Sequence, residues 1–233
     1  MWNRKFTMII NENDIENIFT ELDSKWEKVE DSSKWRWPVE IHRTNQHTLL
    51  NNPDIFQYAY DINYNPRFWA MVECINNLQD VSDLTLLDMG CDVGLHSIVA
   101  TQKFKKVIGL DRHELSCKRA STTQKVFTEN GYDVSNFSIR NKDYSDYCVG
   151  EHLDDEVDAI LWSTGSGLFR EEYDGHGILK ELEDFIENNK LVIIEPGKPQ
   201  HNIDNGLKYL RDRNFDNIEV LVYRERTFLI GRK

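Results

Sequence analysis

No run in the 233-residue sequence approaches the roughly 18 consecutive apolar residues that a membrane-spanning helix needs, so no span is expected. Cysteine is scarce: four residues, Cys74, Cys91, Cys117 and Cys148, lie apart with no C-x-x-C pair. That excludes a zinc knuckle or a disulfide framework as the organising principle and suits a reducing compartment. Positive charge is also short. Lys and Arg total 28 against 40 Asp and Glu, a formal charge of −12, and such a surface repels the phosphates of duplex DNA and of anionic lipid. The opening residues MWNRKFTMIINENDIENIF reach Asn, Glu and Asp soon after a short apolar patch, so a secretory leader is not expected and the cytoplasm is. Repeats and low-complexity tracts are missing as well. What is present, 39% hydrophobic and 11% aromatic residues, is enough to bury a core and argues against wholesale disorder. The length suits one elaborated domain, or one domain plus an extension.

From Leu84 onward short apolar runs alternate with longer amphipathic ones, the signature of a βαβ series and a parallel sheet. Strands are expected at Leu84–Met89, Lys106–Leu110, Asn136–Arg140, Val157–Trp162, Lys190–Glu195, Asn217–Tyr223 and Thr227–Arg232. Only a few residues around Arg224 and Glu225 separate the last two, too few for a parallel crossover, so that pair must be antiparallel. Ile178, Leu179, Leu182, Phe185 and Ile186 share one helical face, as do Ile203, Leu207 and Leu210, the second helix being barred from an earlier start by Pro196 and Pro199. A helix over Glu114–Glu129 has Leu115, Thr122 and Val126 as its apolar line. Before Leu84, Ile15, Ile18, Phe19 and Leu22 form one amphipathic helix. Phe68, Met71, Val72, Ile75 and Leu78 form another, with Pro66 suited to its first turn. Residues 32–65, headed by Trp35-Arg36-Trp37-Pro38, show no period and read as an ordered cap segment, with a flexible arm as the alternative. The expectation is an α/β fold: a doubly wound, mostly parallel seven-stranded sheet with its last strand antiparallel. A cap of helical and irregular structure over residues 1–83 precedes this domain, which spans 84–233.

The chemistry concentrates in LLDMGCDVGLHS, residues 86–97, where a buried strand turns into a helix through Gly90 and Gly94. Glycine admits positive φ and lets a ligand approach the main chain. A dinucleotide fingerprint from Gly90 needs glycines where Asp92 and Leu95 stand, and a phosphate loop needs a Gly-Lys-Ser/Thr that is missing. What remains is D-x-G-x-x-x-G, Asp88 to Gly94, followed by Asp111 at the end of the next strand and by Asp143 after the third. A carboxylate in the position of Asp111 suits the two hydroxyls of a ribose, and Asp143 suits an adenine amino group. Asp92 in the loop disfavours a pyrophosphate but tolerates a sulfonium, which points to S-adenosylmethionine over NAD.

Taken with the VIGLD, NKDY, VDAILW, LVIIEPG and NIEVLVYRERTFLIGR stretches, this turn resembles the class I, seven-strand, Rossmann-like S-adenosylmethionine-dependent methyltransferases from Leu84 to Lys233. The resemblance implies that the first loop, with Gly90, Cys91 and Gly94, touches the methionine moiety, that Asp111 and the adjoining Arg112 hold the ribose, and that Asp143 and Tyr144 read the adenine. Many members carry a third glycine where this chain has His96, which makes the loop more hindered.

The same resemblance suggests further candidates, each with an ordinary structural alternative. Asp88 either contacts the cofactor or orders the loop. Arg67, opening a helix that packs beside the cofactor in this fold, suits the methionine carboxylate. Trp162, ending the fourth strand, either faces the sulfonium, since a ring face attracts a cation, or fills core. Gly165 and Gly167 then leave room for an acceptor. No catalytic residue is evident; His96, His176 and Glu195 are candidates. Trp35 and Trp37 suit stacking or sheet packing. His42 and His47 lack a third convergent ligand, so no metal is expected. The Asn/Asp-Pro-Pro-aromatic motif of nucleic-acid amino-methyltransferases is absent, which disfavours adenine or cytosine methylation. Lys103, Lys105, Lys106, Arg112, Lys118 and Arg119 are candidates for a local basic face that would suit RNA. The implied function is methyl transfer from S-adenosylmethionine to oxygen or nitrogen of a small molecule. RNA or protein acceptors, and a methyltransferase-like module that binds without catalysing, are the alternatives.

Overall fold

A computed structural model of the chain describes residues 10, 12–26, 65–143, 157–163, 185–186, 188–196 and 200–233. Trp35, Trp37, His42, His47, Tyr144, Cys148, Gly165, Gly167, His176 and most of the helix expected around Ile178 lie outside them; of that helix, Phe185 and Ile186 are described and helical.

The described elements in chain order are α1 (Glu12–Lys25), α2 (Asn65–Asn77), β1 (Thr85–Met89), α3 (Leu95–Ala100), β2 (Lys106–Asp111), α4 (Glu114–Glu129), β3 (Phe137–Asn141), β4 (Ala159–Ser163), β5 (Leu191–Glu195), α5 (Gln200–Asp212), β6 (Asn217–Tyr223) and β7 (Arg226–Arg232). Every expected strand is found, displaced by at most two residues at an end. The seven strands form one sheet in the order β3-β2-β1-β4-β5-β7-β6. β1 to β5 are parallel, and β7 runs against both β5 and β6. The last strand in sequence therefore lies inside the sheet and β6 lies on its edge. Burial explains the insertion: Phe228, Leu229 and Ile230 of β7 are all buried, whereas every residue of β6 is exposed or half-buried. A strand that is apolar on both faces belongs between neighbours, and one that buries neither face fully suits an edge. Arg224 and Glu225, which join them, both have positive φ (46° and 62°), the backbone that a two-residue hairpin requires.

Side chains alternate across each strand and divide the interior in two. Leu86, Val107, Leu161, Ile193 and Phe228 pack against the layer of α1 to α4. Leu87, Ile108, Ile160, Val192 and Leu229 pack under α5 on the opposite face. Helices α1 and α2 share the first of these cores with the sheet. Phe19 of α1 meets Phe68 of α2 edge to face at 5.2 Å, and Trp26 Nε1 donates to Thr123 Oγ1 of α4 at 3.2 Å. Helix α5 begins directly after Pro199, as expected.

One helical face differs from its expectation. The buried side of α4 is Ser116, Cys117, Arg119, Ala120, Thr123, Val126 and Phe127, while Leu115 and Thr122 are only half-buried. Small and polar side chains fill this face because α4 approaches α3 and the glycine turn closely, and their hydrophilic character conceals the stripe. The basic face is also corrected. Arg119 is buried, and Lys103, Lys105 and Lys106 stand at the start of β2 whereas Arg112 follows its end. Six extended residues separate the two groups, about 20 Å, so these side chains do not form one surface.

Candidate functional site

The chain runs outward from β1 through β2 to β3, then crosses back to place β4 on the other side of β1. The carboxyl ends of β1 and β4 therefore flank the point where the strand order reverses, the crevice where open α/β sheets take their ligands. Two groups of polar side chains meet there, one over β1 and β2 and one over β4, β5 and β7.

In the first group the turn after β1 alternates left-handed residues: Gly90 at φ 76°, Asp92 at 50° and Gly94 at 78°. The amides of Gly90 and Cys91 both donate to the Leu110 carbonyl, at 2.8 and 2.9 Å, prolonging the β1–β2 pairing into the loop. The two glycines serve different ends. A Cβ at Gly94 would lie 3.1 Å from Ala120 Cβ and 3.3 Å from the Phe137 ring, so packing alone demands glycine. A Cβ at Gly90 would meet nothing within 4 Å. Gly90 is the exposed, open point of the turn, where a ligand can reach the main chain.

Three carboxyl groups gather around this turn. Asp111 accepts the Asp92 amide on Oδ2 at 3.0 Å and the His113 amide on Oδ1 at 2.8 Å, so it fixes the loop to the end of β2. Each oxygen keeps a second lone pair for a ligand hydroxyl. Asp88 Oδ2 accepts Ser97 Oγ at 2.6 Å, and Asp92 Oδ1 accepts Ser116 Oγ at 3.4 Å. Asp88 Oδ1 and Asp92 Oδ2 are buried and have no hydrogen-bond partner among the described residues. Burial raises Asp88 to about 7, with the neighbouring Asp111 acting in the same direction and Ser97 and Arg67 opposing. Burial likewise raises Asp92 to about 8, with Asp111 adding to the shift while the Val93 amide, Arg119 and Arg67 oppose it. Asp92 therefore points inward and is largely neutral near pH 7. The expectation that its charge screens ligands at the loop surface does not hold.

The second group sits on the α2 side of the sheet. Glu195, 1% exposed, pairs with Arg67 of α2, 3% exposed. Its Oε2 accepts Arg67 Nε at 3.1 Å, Arg67 Nη2 at 2.8 Å and Ser163 Oγ at 2.7 Å. Arg67 Nη2 also donates to Ser163 Oγ at 2.7 Å. Register explains the meeting: Ser163 and Glu195 are paired neighbours at the ends of β4 and β5. Arg226, the first residue of β7, brings its Nη1 to 3.5 Å from Glu195 Oε1, yet that buried oxygen accepts no hydrogen bond among the described residues. Burial acts to raise Glu195, but the charge of Arg67, that of His96 once it is protonated in acid, and the hydrogen bonds from Arg67 and Ser163 overcome it and hold the carboxyl at about 2. His96, half-buried in the first turn of α3, is lowered to about 3 by burial and by Arg67, with Glu195 opposing and Arg226 adding. It is a neutral imidazole at physiological pH.

Asp88, Gly90, Asp92, Gly94 and Asp111 are thus brought together, and Arg67, His96 and Glu195 meet beside them. Arg67, read as a partner for a ligand carboxylate, gives Nε and Nη2 to Glu195 and Ser163. Cys91 turns inward, its sulfur 2.9 Å from where a Cβ on Gly109 would lie. Trp162 stands on the opposite face, packed against the α5 cluster. Asp143 is half-buried, with Arg112 4.0 Å away across the surface. Ser163 and Arg226 complete the second group. Arg226 escaped the sequence reading, although the unbroken apolar run Phe228–Ile230 was the sign that β7 borders β5 and sets Arg226 beside Glu195.

No protein-family profile matches the sequence, and no curated protein matches it. Solved structures do. Magnesium protoporphyrin IX methyltransferase of Synechocystis PCC 6803, solved with bound S-adenosylmethionine, is 18% identical, covers 75% of this chain and 83% of its own, and superposes with a TM-score of 0.54. The same enzyme with S-adenosylhomocysteine gives 17%, 76% and 87%, again at 0.54. A SAM-dependent O-methyltransferase of Thermotoga maritima is 15% identical over 70% of this chain and 64% of that one, at 0.51. With the strand order and the reversed β7, these likenesses give the chain the fold of the class I, Rossmann-like S-adenosylmethionine-dependent methyltransferases.

Proposed function

We propose that the protein is an S-adenosylmethionine-dependent methyltransferase whose acceptor is a small molecule methylated at oxygen or nitrogen. The observation that carries this reading is the open turn at Gly90, set between Asp88 and Asp111 where the strand order reverses. The residues suit the cofactor: an accessible main chain at Gly90, free lone pairs on Asp111 and an unpartnered oxygen on Asp88 offer acceptors to an adenosyl and amino-acid ligand. Asp111 would hold the ribose, with Arg112 beside it, and Asp143 with Tyr144 the adenine. Gly90 and Gly94 would shape the loop around the methionine portion, with Cys91 and Asp88 behind it. When bound, the cofactor supplies an already activated methyl group.

What remains for the chain is to orient the acceptor and exclude water, and orientation alone can contribute about 7–11 kcal/mol. A group titrating near 2 or near 3 is a weak base at neutral pH, so Glu195 and His96 are better suited to positioning than to taking a proton. Residues 84–233 would carry the cofactor-binding domain and residues 1–83 a cap. The charge of −12 and the divided basic residues weigh against a nucleic-acid acceptor.

Calorimetric titration tests the reading. S-adenosylmethionine and S-adenosylhomocysteine should each bind and NAD should not, and labelled methyl should pass to a component of a small-molecule pool. Binding without transfer to small-molecule, RNA or protein pools would leave a methyltransferase-like binding module. Failure to bind either adenosyl ligand would refute the assignment.

A further inference from the structure

Among the described residues, the group over β4, β5 and β7 holds more positive charge than its partners neutralise. Two guanidinium groups, Arg67 and Arg226, face one carboxylate, Glu195, and their side chains are only 3% and 20% exposed. Arg67 and Ser163 already occupy Oε2 with three hydrogen bonds. Arg226 approaches only Oε1, at 3.5 Å and without a hydrogen bond. Closing that gap would satisfy the oxygen and still leave one positive charge over. The other acids nearby among the described residues do not cancel it. Glu73 pairs with Arg224 at 2.9 Å, and Glu225 is exposed in the turn, where water screens it. Asp88 is about half protonated at neutral pH, and His96 is uncharged. A largely buried positive charge without a counter-ion is costly, and a bound anion relieves that cost. The place of this charge within the fold says which ligand would supply the anion. Arg226 opens β7 on the far side of β5, whereas the open turn at Gly90 lies over β1 and β2. The crevice where the strand order reverses separates them.

We propose that Arg226, braced by the Glu195–Arg67–Ser163 hydrogen bonds, is the anion-binding residue of the acceptor pocket, so that the acceptor carries a carboxylate or a comparable anionic group close to the methylated atom. Calling the anion an acceptor rests on the methyltransferase reading above; the anion site itself does not. A guanidinium offers paired donors that match a carboxylate or phosphate, and Arg226 has its two terminal nitrogens and Nε for this purpose.

The test is titration of the full chain with acetate, benzoate and inorganic phosphate, and with benzamide as the neutral match to benzoate, each with and without saturating S-adenosylhomocysteine. At least one anion should bind the wild type, with benzoate bound more tightly than benzamide. Arg226→Gln should weaken anion binding by about ten- to a hundred-fold, the loss of hydrogen bonds to a charged group, and leave S-adenosylhomocysteine affinity within a factor of two. Arg226→Lys, which keeps the charge and loses the fork, should fall between them and guards against a Gln variant that folds poorly. The proposal is overturned if no anion binds, if benzamide binds as well as benzoate, or if both variants bind anions like the wild type. It is overturned equally if Arg226→Gln lowers S-adenosylhomocysteine affinity instead, because the anion would then be the cofactor's own carboxylate. Absence of S-adenosylhomocysteine binding to the wild type, with anion binding intact, would instead strike the methyltransferase reading and leave the anion site standing.

Discussion

At the scale of single residues, Asp111 and Glu195 behave differently because their partners differ. Asp111 is held by two backbone amides. Asp111→Ala should therefore weaken S-adenosylhomocysteine binding by about 1.5–3 kcal/mol through lost hydrogen bonds to a charged acceptor and also lower stability, since the amides of Asp92 and His113 lose their acceptor. Asp111→Asn, which keeps one carbonyl, should recover part of that stability in urea unfolding. Cofactor affinity unchanged in the alanine variant would remove Asp111 from the site. Glu195 is paired instead with a buried guanidinium. Arg67→Met should cost about 1.5–3 kcal/mol in urea unfolding, because Glu195 loses both guanidinium hydrogen bonds and keeps only Arg226 at 3.5 Å, whereas the triple variant Arg67→Met, Glu195→Leu, Arg226→Met, which leaves no buried charge of this group behind, should regain much of the loss. A single-variant cost near or below that of the triple would show that these buried charges do not govern stability here. The grouping of Asp88, Gly90, Gly94 and Asp111 was legible because the first three lie on one strand–turn–helix and Asp111 ends the neighbouring strand β2. The Arg67–Glu195 pair was not, since its members lie 128 residues apart and only the sheet register and the docking of α2 unite them. Asp92 was misread for a related reason: its left-handed backbone turns the side chain inward, and a single aspartate in a loop does not disclose its φ.

At the scale of elements, β1, β2, β4 and β5 could be read to within two residues because parallel β-strands buried on both faces leave continuous apolar runs. The order of the last two could not be inferred from their antiparallel pairing, which both arrangements share. The difference lay in the patterns: Phe228–Ile230 buried without a break, and β6 with Val220 and Val222 exposed. Helix α4 hid its buried face behind Ser116, Cys117, Ala120 and Thr123, because the turn before α3 packs so closely that small side chains are needed. That closeness makes a paired prediction for the turn. Gly94→Ala must adopt positive φ and also displace Ala120 or Phe137, so it should destabilise the fold by about 2–4 kcal/mol, combining left-handed strain with overpacking. Gly90→Ala has strain without a clash and should cost about 1–2 kcal/mol, while its new methyl group projects into the open space where a ligand would approach. The fold should suffer more from Gly94→Ala in thermal unfolding, and S-adenosylhomocysteine affinity more from Gly90→Ala. Equal effects of both on stability and on binding would show that the open face of the turn is not a ligand face.

At the scale of the whole molecule, the buried titratable groups set how stability changes with pH, and their signs oppose. Glu195, held near 2, adds stability that is complete above its unfolded value of about 4.3 and is lost as pH falls toward 2. His96, lowered to about 3, is neutral in the fold and protonated in the unfolded chain below about 6.5, so its contribution is complete above 6.5 and fades as pH falls from there to 3. Asp88 and Asp92, raised to about 7 and about 8, act the other way. Their contribution is complete below about 3.9 and is lost as pH rises through 7 and 8, because the fold retains protons that the unfolded chain has released. Between pH 4 and 6.5 His96 offsets part of the aspartate effect. Between 6.5 and 8 only the aspartates of this set still change, so unfolding free energy without ligand should decline across that window. Asp92→Asn isolates the effect. Asparagine has the shape of the protonated carboxyl and tolerates the left-handed backbone at this position, and it has no proton to lose. The variant should show a decline shallower by up to about 1.4 kcal/mol per pH unit in that window, and should be more stable than the wild type at pH 8.5. Urea unfolding of both proteins at pH 6.5, 7.5 and 8.5 measures the difference. Parallel slopes would mean that Asp92 is already ionised in the fold, and that the turn presents a negative charge to its ligand despite the burial of the side chain.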